Sequence, residues 1–175
     1  MLRDPSLAPL SRQHQRGLAA CVLIERSMAS PPSPEQLRAA AGRVGELFEG
    51  ELRHHFDLEE RILFPAVRQA LEPLSLIDEL IADHRRLEDL AARVAGEAGA
   101  ETLRSFTSLL SAHIRREERV LFEEIQRRLP RPALDRLGAA IAAEAVRLCR
   151  TLPPNAPRDA TAGSEPPADP DRSRR

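Results

Sequence analysis

The stretch "HHFDLEERILF", residues 54–64, returns in large part as "HIRREERVLF", residues 113–122. With His55 set against His113, Glu59 pairs with Glu117, Glu60 with Glu118, Arg61 with Arg119, Leu63 with Leu121 and Phe64 with Phe122, all at an offset of 58 residues. A histidine followed four residues later by a glutamate spans one helical turn. Each copy therefore predicts a helix that carries an imidazole and a carboxylate on a single face.

Outward from the repeat, apolar residues recur at three- and four-residue steps as far as about residue 150, in a background of Ala, Leu, Arg and Glu. Five helices are predicted. The first runs from about Ser11 to Met28. Ser33 reads as an N-cap, with Pro34 opening a second helix that reaches about Leu71 and that Pro65 is expected to kink. The third covers about Ser75 to Ala95, the fourth about Glu101 to Leu129, and a shorter fifth Ala133 to about Arg150, with Leu134, Leu137, Ile141 and Leu148 on one stripe. Short connections between long amphipathic helices indicate an all-α, up-down-up-down four-helix bundle with the fifth helix across one end. Residues 1–150 form the predicted domain. Residues 151–175 hold six of the fifteen prolines and read as a disordered Pro-rich tail.

Composition narrows the function. All 26 basic residues are Arg and nearly balance 27 acidic ones, for a net charge of -1, which gives no reason to expect nucleic acid or an anionic membrane as a partner. Without lysine there is no P-loop lysine and no Schiff-base lysine. Without Tyr or Trp there is no tyrosyl radical and no indole platform. Cys21 and Cys149 are too few for a disulfide framework, and neither a signal peptide nor a membrane span is legible, so a cytoplasmic location is expected. Chemistry is left to His, Asp and Glu.

On helical wheels, His55 and Glu59 share a stripe with Leu47, Phe48, Leu52, Ile62, Leu63 and Ala66. His113 and Glu117 share one with Phe106, Leu109, Leu110, Val120 and Leu121. His84 falls in line with Ile77, Leu80, Ile81, Leu87 and Ala91, and His14 with Leu10, Leu18 and Cys21. Each bundle helix thus offers one inward His, and two offer an inward Glu. His54, Glu60 and Glu118 project elsewhere, and the adjacent "EE" pairs read as solvated faces with i,i+4 ion pairs. A lone inward histidine is more often a packing residue than a ligand. Four of them with two buried carboxylates and no inward cation ask for metal, because an uncompensated buried carboxylate is very costly. Imidazole with carboxylate suits iron, zinc or manganese, and six such ligands suit two ions bridged by Glu59 and Glu117. Glu88, four residues after His84, is a third inward acid, open between ligand, acceptor for a ligand His, and surface residue. Glu51 and His54 form a single ExxH match that reads as coincidence.

These residues resemble the hemerythrin-like family, the HHE cation-binding domain. "PLSRQH" is similar to the family's entry to its first helix, "HFDLEERILFP" to its second-helix motif and "HIRREERVLF" to its fourth, over about residues 9–129. The resemblance implies a four-helix bundle around two non-haem iron ions, with His14, His55, His84 and His113 as terminal ligands and Glu59 and Glu117 bridging. Oxygen carriers of the family place a further His one turn after the third-helix His. This chain has Glu88 there, which argues against simple reversible carriage. The expected function is binding of oxygen or nitric oxide for sensing, storage or detoxification. Two alternatives are a di-iron redox enzyme or iron donor, and a metal-free helical interaction module.

Overall fold

The computed structural model describes residues 3–28, 31–71 and 75–151. Five helical rods account for nearly all of them. Helix α1 is Ala8–Ser27, entered through Pro9 three residues earlier than the wheel analysis places it. Helix α2 opens on a capping box, in which Ser33 Oγ accepts from the Gln36 amide (3.2 Å) and Gln36 Oε1 from the Ser33 amide (2.8 Å). It continues without a break through Pro34–Leu47, Phe48–Leu52, Arg53–Leu58, Glu59–Leu63 and Phe64–Ala70. Helix α3 is Ser75–Gly96. Helix α4 runs through Ala100–Arg116, Glu117–Leu121 and Phe122–Arg128, and α5 is Arg131–Thr151.

Three turns are wider than α-helical. The amides of Arg53, Phe64 and Phe122 bond to the carbonyls of Phe48, Glu59 and Glu117, five residues back, so each long helix carries a π-turn that starts at its repeated Glu. The expected interruption at Pro65 does not occur. Its missing N–H falls just after a turn whose hydrogen bonds have already shifted by one residue, and α2 proceeds to Ala70. The π-turn of α4 also shifts the phase of the apolar stripe. Val120, expected inside, is 46% exposed, whereas Phe122 and Ile125 are fully buried.

α1 packs on α2 and α4, and α3 on the same two, which closes the four-helix ring. Two apolar clusters fill it. One gathers Leu7, Leu10, Leu63, Phe64, Val67, Ile77, Leu121 and Phe122 and is capped by Leu134, Leu137 and Ile141 of α5. The other gathers Ile24, Val44, Phe48, Phe56, Leu87, Leu103, Phe106, Leu110 and Cys21. Each buried large side chain stabilises the bundle by about 1.5–3 kcal/mol. Cys21 behaves as a core thiol beside Ser111, and burial pushes it up to about 11. Thr151, the first residue of the predicted tail, closes α5, and the rest of the tail and the side chain of Leu148 lie outside the described residues. Among those described, no helix is long and apolar enough to cross a membrane.

Candidate metal centre

His14, His55, His84, His113, Glu59 and Glu117 meet between the two apolar clusters, and all six are buried. Their Nε2 atoms converge in pairs, His14 on His55 at 2.9 Å and His84 on His113 at 3.2 Å. Glu59 lies across both pairs. Its Oε1 is 3.2 Å from His55 Nε2 and 3.7 Å from His14 Nε2, and its Oε2 is 3.4 Å from His84 Nε2. Glu117 Oε2 is 3.1 Å from His14 Nε2 and 3.3 Å from His113 Nε2. Two four-residue groups result, His14–His55–Glu59–Glu117 and His84–His113–Glu59–Glu117, each able to place its ligand atoms within 4.8 Å of one another.

None of the four carboxylate oxygens accepts a hydrogen bond, although all are shielded from solvent. Buried polar atoms are ordinarily satisfied, so these oxygens face the position of a cation. The charges agree. Burial disfavours ionised His14, yet Glu117, Glu118 and Glu59 hold its ring well above the usual histidine range. Burial would raise Glu59, but His55, His14 and His84 hold its carboxyl well below the usual range. Bound metal would supply the positive charge that these carboxylates favour on the His14 ring, and would compete with its proton.

The outer faces of the imidazoles carry the residues that single-helix reasoning missed. Glu118 Oε1 accepts from His14 Nδ1 at 2.7 Å, and Glu60 Oε1 accepts from His84 Nδ1 at 2.8 Å. Both carboxylates, expected on solvated faces, are only about a quarter exposed. A wheel drawn for one helix cannot see that the residue beside its inward stripe meets the next helix. Gln13 Oε1 accepts from His55 Nδ1 at 2.8 Å, and Asp83 Oδ2, paired to Arg116, lies 3.6 Å from His113 Nδ1. The hydrogen bonds to His14, His55 and His84 fix the tautomer and leave their Nε2 lone pairs for metal, whereas His113 Nδ1 is buried without a hydrogen-bond partner. Phenylalanines hold the same two rings: Phe64 and Phe56 stack on His84 at 5.8 and 3.9 Å, and Phe122 on His14 at 5.4 Å.

Every member of the repeat but its arginine now has a place. The His and the first Glu face the centre, the second Glu binds a His of a neighbouring helix, the Leu is core, and the Phe stacks on that same His. The family model described as Hemerythrin HHE cation binding domain matches residues 7–125. The chain belongs to that family. No match was found among curated proteins or solved structures. In this HHE domain the structure does not bring Glu88 to the centre. It is half-buried at the surface and its Oε2 lies 3.4 Å from Arg85. His54 and Glu51 are not among the clustered groups either, Glu51 pairing with Arg16 at 2.8 Å.

A small cavity adjoins the HHE centre. It measures about 10 Å³, room for one water-sized molecule; Leu47, Leu52, Phe56, Leu110 and Ile114 make its wall mainly apolar beside Gly17, with His55 and His113 at one side and Gln13 and Glu51 also lining it.

Proposed function

We propose that this chain is a non-haem di-iron protein that binds oxygen or nitric oxide, serving sensing, storage or detoxification. The observation that carries the reading is two histidine pairs sharing two buried, unpartnered carboxylates, beside a small apolar cavity that touches one histidine of each pair. His14 and His55 would hold one ion, His84 and His113 the other, with Glu59 and Glu117 between them. Bound iron would supply reversible redox chemistry and an exchangeable coordination position. Zinc or manganese fits the same donors.

The chain's own residues do the rest. Glu118, Glu60 and Gln13 orient the rings through Nδ1, and the phenylalanines exclude water. Leu52, Phe56, Leu110 and Ile114 give a diatomic ligand an apolar berth. An enzymatic reading would gain from a third carboxylate ligand, and the position of Glu88 does not provide one.

Metal analysis of chelator-free protein, with visible spectra before and after oxygen or nitric oxide, tests the proposal. About two irons per chain with gas-dependent bands support it. Failure to take up iron under anaerobic ferrous loading overturns it. Gly17→Ala tests the berth, because a Cβ there sits 3.1 Å from Ile114 Cδ1. Full metal content with roughly tenfold weaker gas binding is expected, the scale of one added methyl in an apolar pocket.

A further inference from the structure

Glu118 is itself held from outside the matched family region. Arg3 Nη2 donates to Glu118 Oε2 at 2.6 Å and to the Glu118 backbone carbonyl, inside the π-turn, at 2.8 Å. Its guanidinium lies over the Phe122 ring, 5.1 Å from the centroid. Arg3 therefore touches both groups that hold the His14 ring, its hydrogen-bond acceptor and its stacking partner.

The segment that carries Arg3 is fastened down. The Asp4 amide donates to Gln126 Oε1 at 2.8 Å, and Arg131 Nη1 on α5 donates to Asp4 Oδ2 at 2.7 Å. Ser6 is buried against Gly138 of α5, where a Cβ would come within 2.9 Å of the Ser6 Cα. Residues 3–6 thus form a strap between α4 and α5. Arg3, Gln126, Arg131 and Gly138 all fall outside residues 7–125.

The other half shows what the strap supplies. Glu60, which orients His84, pairs with Arg85 at 2.6 Å, and Arg85 directly follows His84. The residue that follows His14 is Gln15, which brings no charge.

We infer that Arg3 is a positioning residue for the metal centre: through Glu118 and Phe122 it sets the His14 imidazole, so the strap and α5 tune the metal position that His14 serves. The inference rests on the proposed metal-binding reading. Loss of an outer partner of a ligand histidine typically weakens metal binding by 10–100-fold.

The test is an anaerobic cobalt(II) titration of the full chain, followed by its visible bands and by competition with a chelator, for wild type, Arg3→Ala, Arg3→Lys and Arg85→Ala. Arg3→Ala should bind one cobalt as wild type does and the second roughly tenfold more weakly. Arg3→Lys should recover part of the loss, and Arg85→Ala should weaken one position of two likewise. The double variant Arg3→Ala/Arg85→Ala should weaken both. Arg3 also bonds Gln126, so the metal-free melting temperature of Arg3→Ala should fall by a few degrees, and a loss confined to one of the two cobalt positions separates positioning from folding. Wild-type affinities at both positions in Arg3→Ala, or equal weakening of both, overturn the inference while the metal centre stands. A wild-type chain that binds no cobalt and no iron overturns both.

Discussion

Around His84 the chain reads Asp83-His84-Arg85, and around His14 it reads Gln13-His14-Gln15. The two histidines occupy equivalent places, each tied through Nδ1 to the second Glu of a repeat and each covered by that repeat's Phe. The residue before each histidine turns to the other histidine of its pair, Gln13 with a hydrogen bond to His55 at 2.8 Å and Asp83 with a carboxylate 3.6 Å from His113 Nδ1, too far for one. Yet one half places carboxylates beside both rings, and the other a carboxylate and a neutral amide. A carboxylate makes an imidazole a stronger donor than an amide does. The halves share geometry and differ in charge, so their two metal positions should differ in affinity.

Glu59 spans the halves, and its loss is the hardest blow. Glu59→Gln should leave fewer than one metal per chain by mass spectrometry and remove the chelator-sensitive part of the thermal transition, since ligation contributes to folding. One tightly held metal in this variant would show that the halves bind independently. Exchanging the unequal partners comes next. Asp83→Asn should weaken the His84–His113 position by about an order of magnitude, and Gln13→Glu should strengthen the His14–His55 position by a comparable factor in competition titrations. Unmoved affinities in both would mean that the partners orient the rings without changing donor strength.

The smallest effect concerns packing. Phe64→Leu and Phe122→Leu should each lower stability by about 1 kcal/mol, read as a shift of denaturation midpoint at constant slope. His84 keeps Phe56 at 3.9 Å when Phe64 is cut, whereas Phe122 is the only phenylalanine stacked on His14 among the described residues. Phe122→Leu should therefore also loosen one metal, and Phe64→Leu should not.

The fold and the inner cluster of His and Glu side chains are legible in the sequence because the decisive spacing ends where the irregularity begins. His55 to Glu59 and His113 to Glu117 each fit in one α-helical turn that stops at the first residue of a π-turn. Beyond it, an extra residue rotates the face, so the wheel placed Val120 inside and missed Phe64, Val67, Phe122 and Ile125. Helix α2 continues through Pro65 for the same reason, because the effect of a proline depends on the turn that precedes it. Glu60 and Glu118 read as solvated, and Asp83 gives no signal, because their partners sit on other helices and no period within one helix reports that. Arg3 lies 115 residues from Glu118 and carries no local signal at all.

Cys21 turns its burial into a clock. A thiol pushed up to about 11 and wedged beside Ser111 is protonated and sheltered at neutral pH, so an alkylating reagent must wait until α1 parts from α4. In a Cys149→Ser background the labelling rate then times the opening of that seam. Metal that joins α1 to α2 and α4 through His14 would slow the clock, and stripping it would let the clock run.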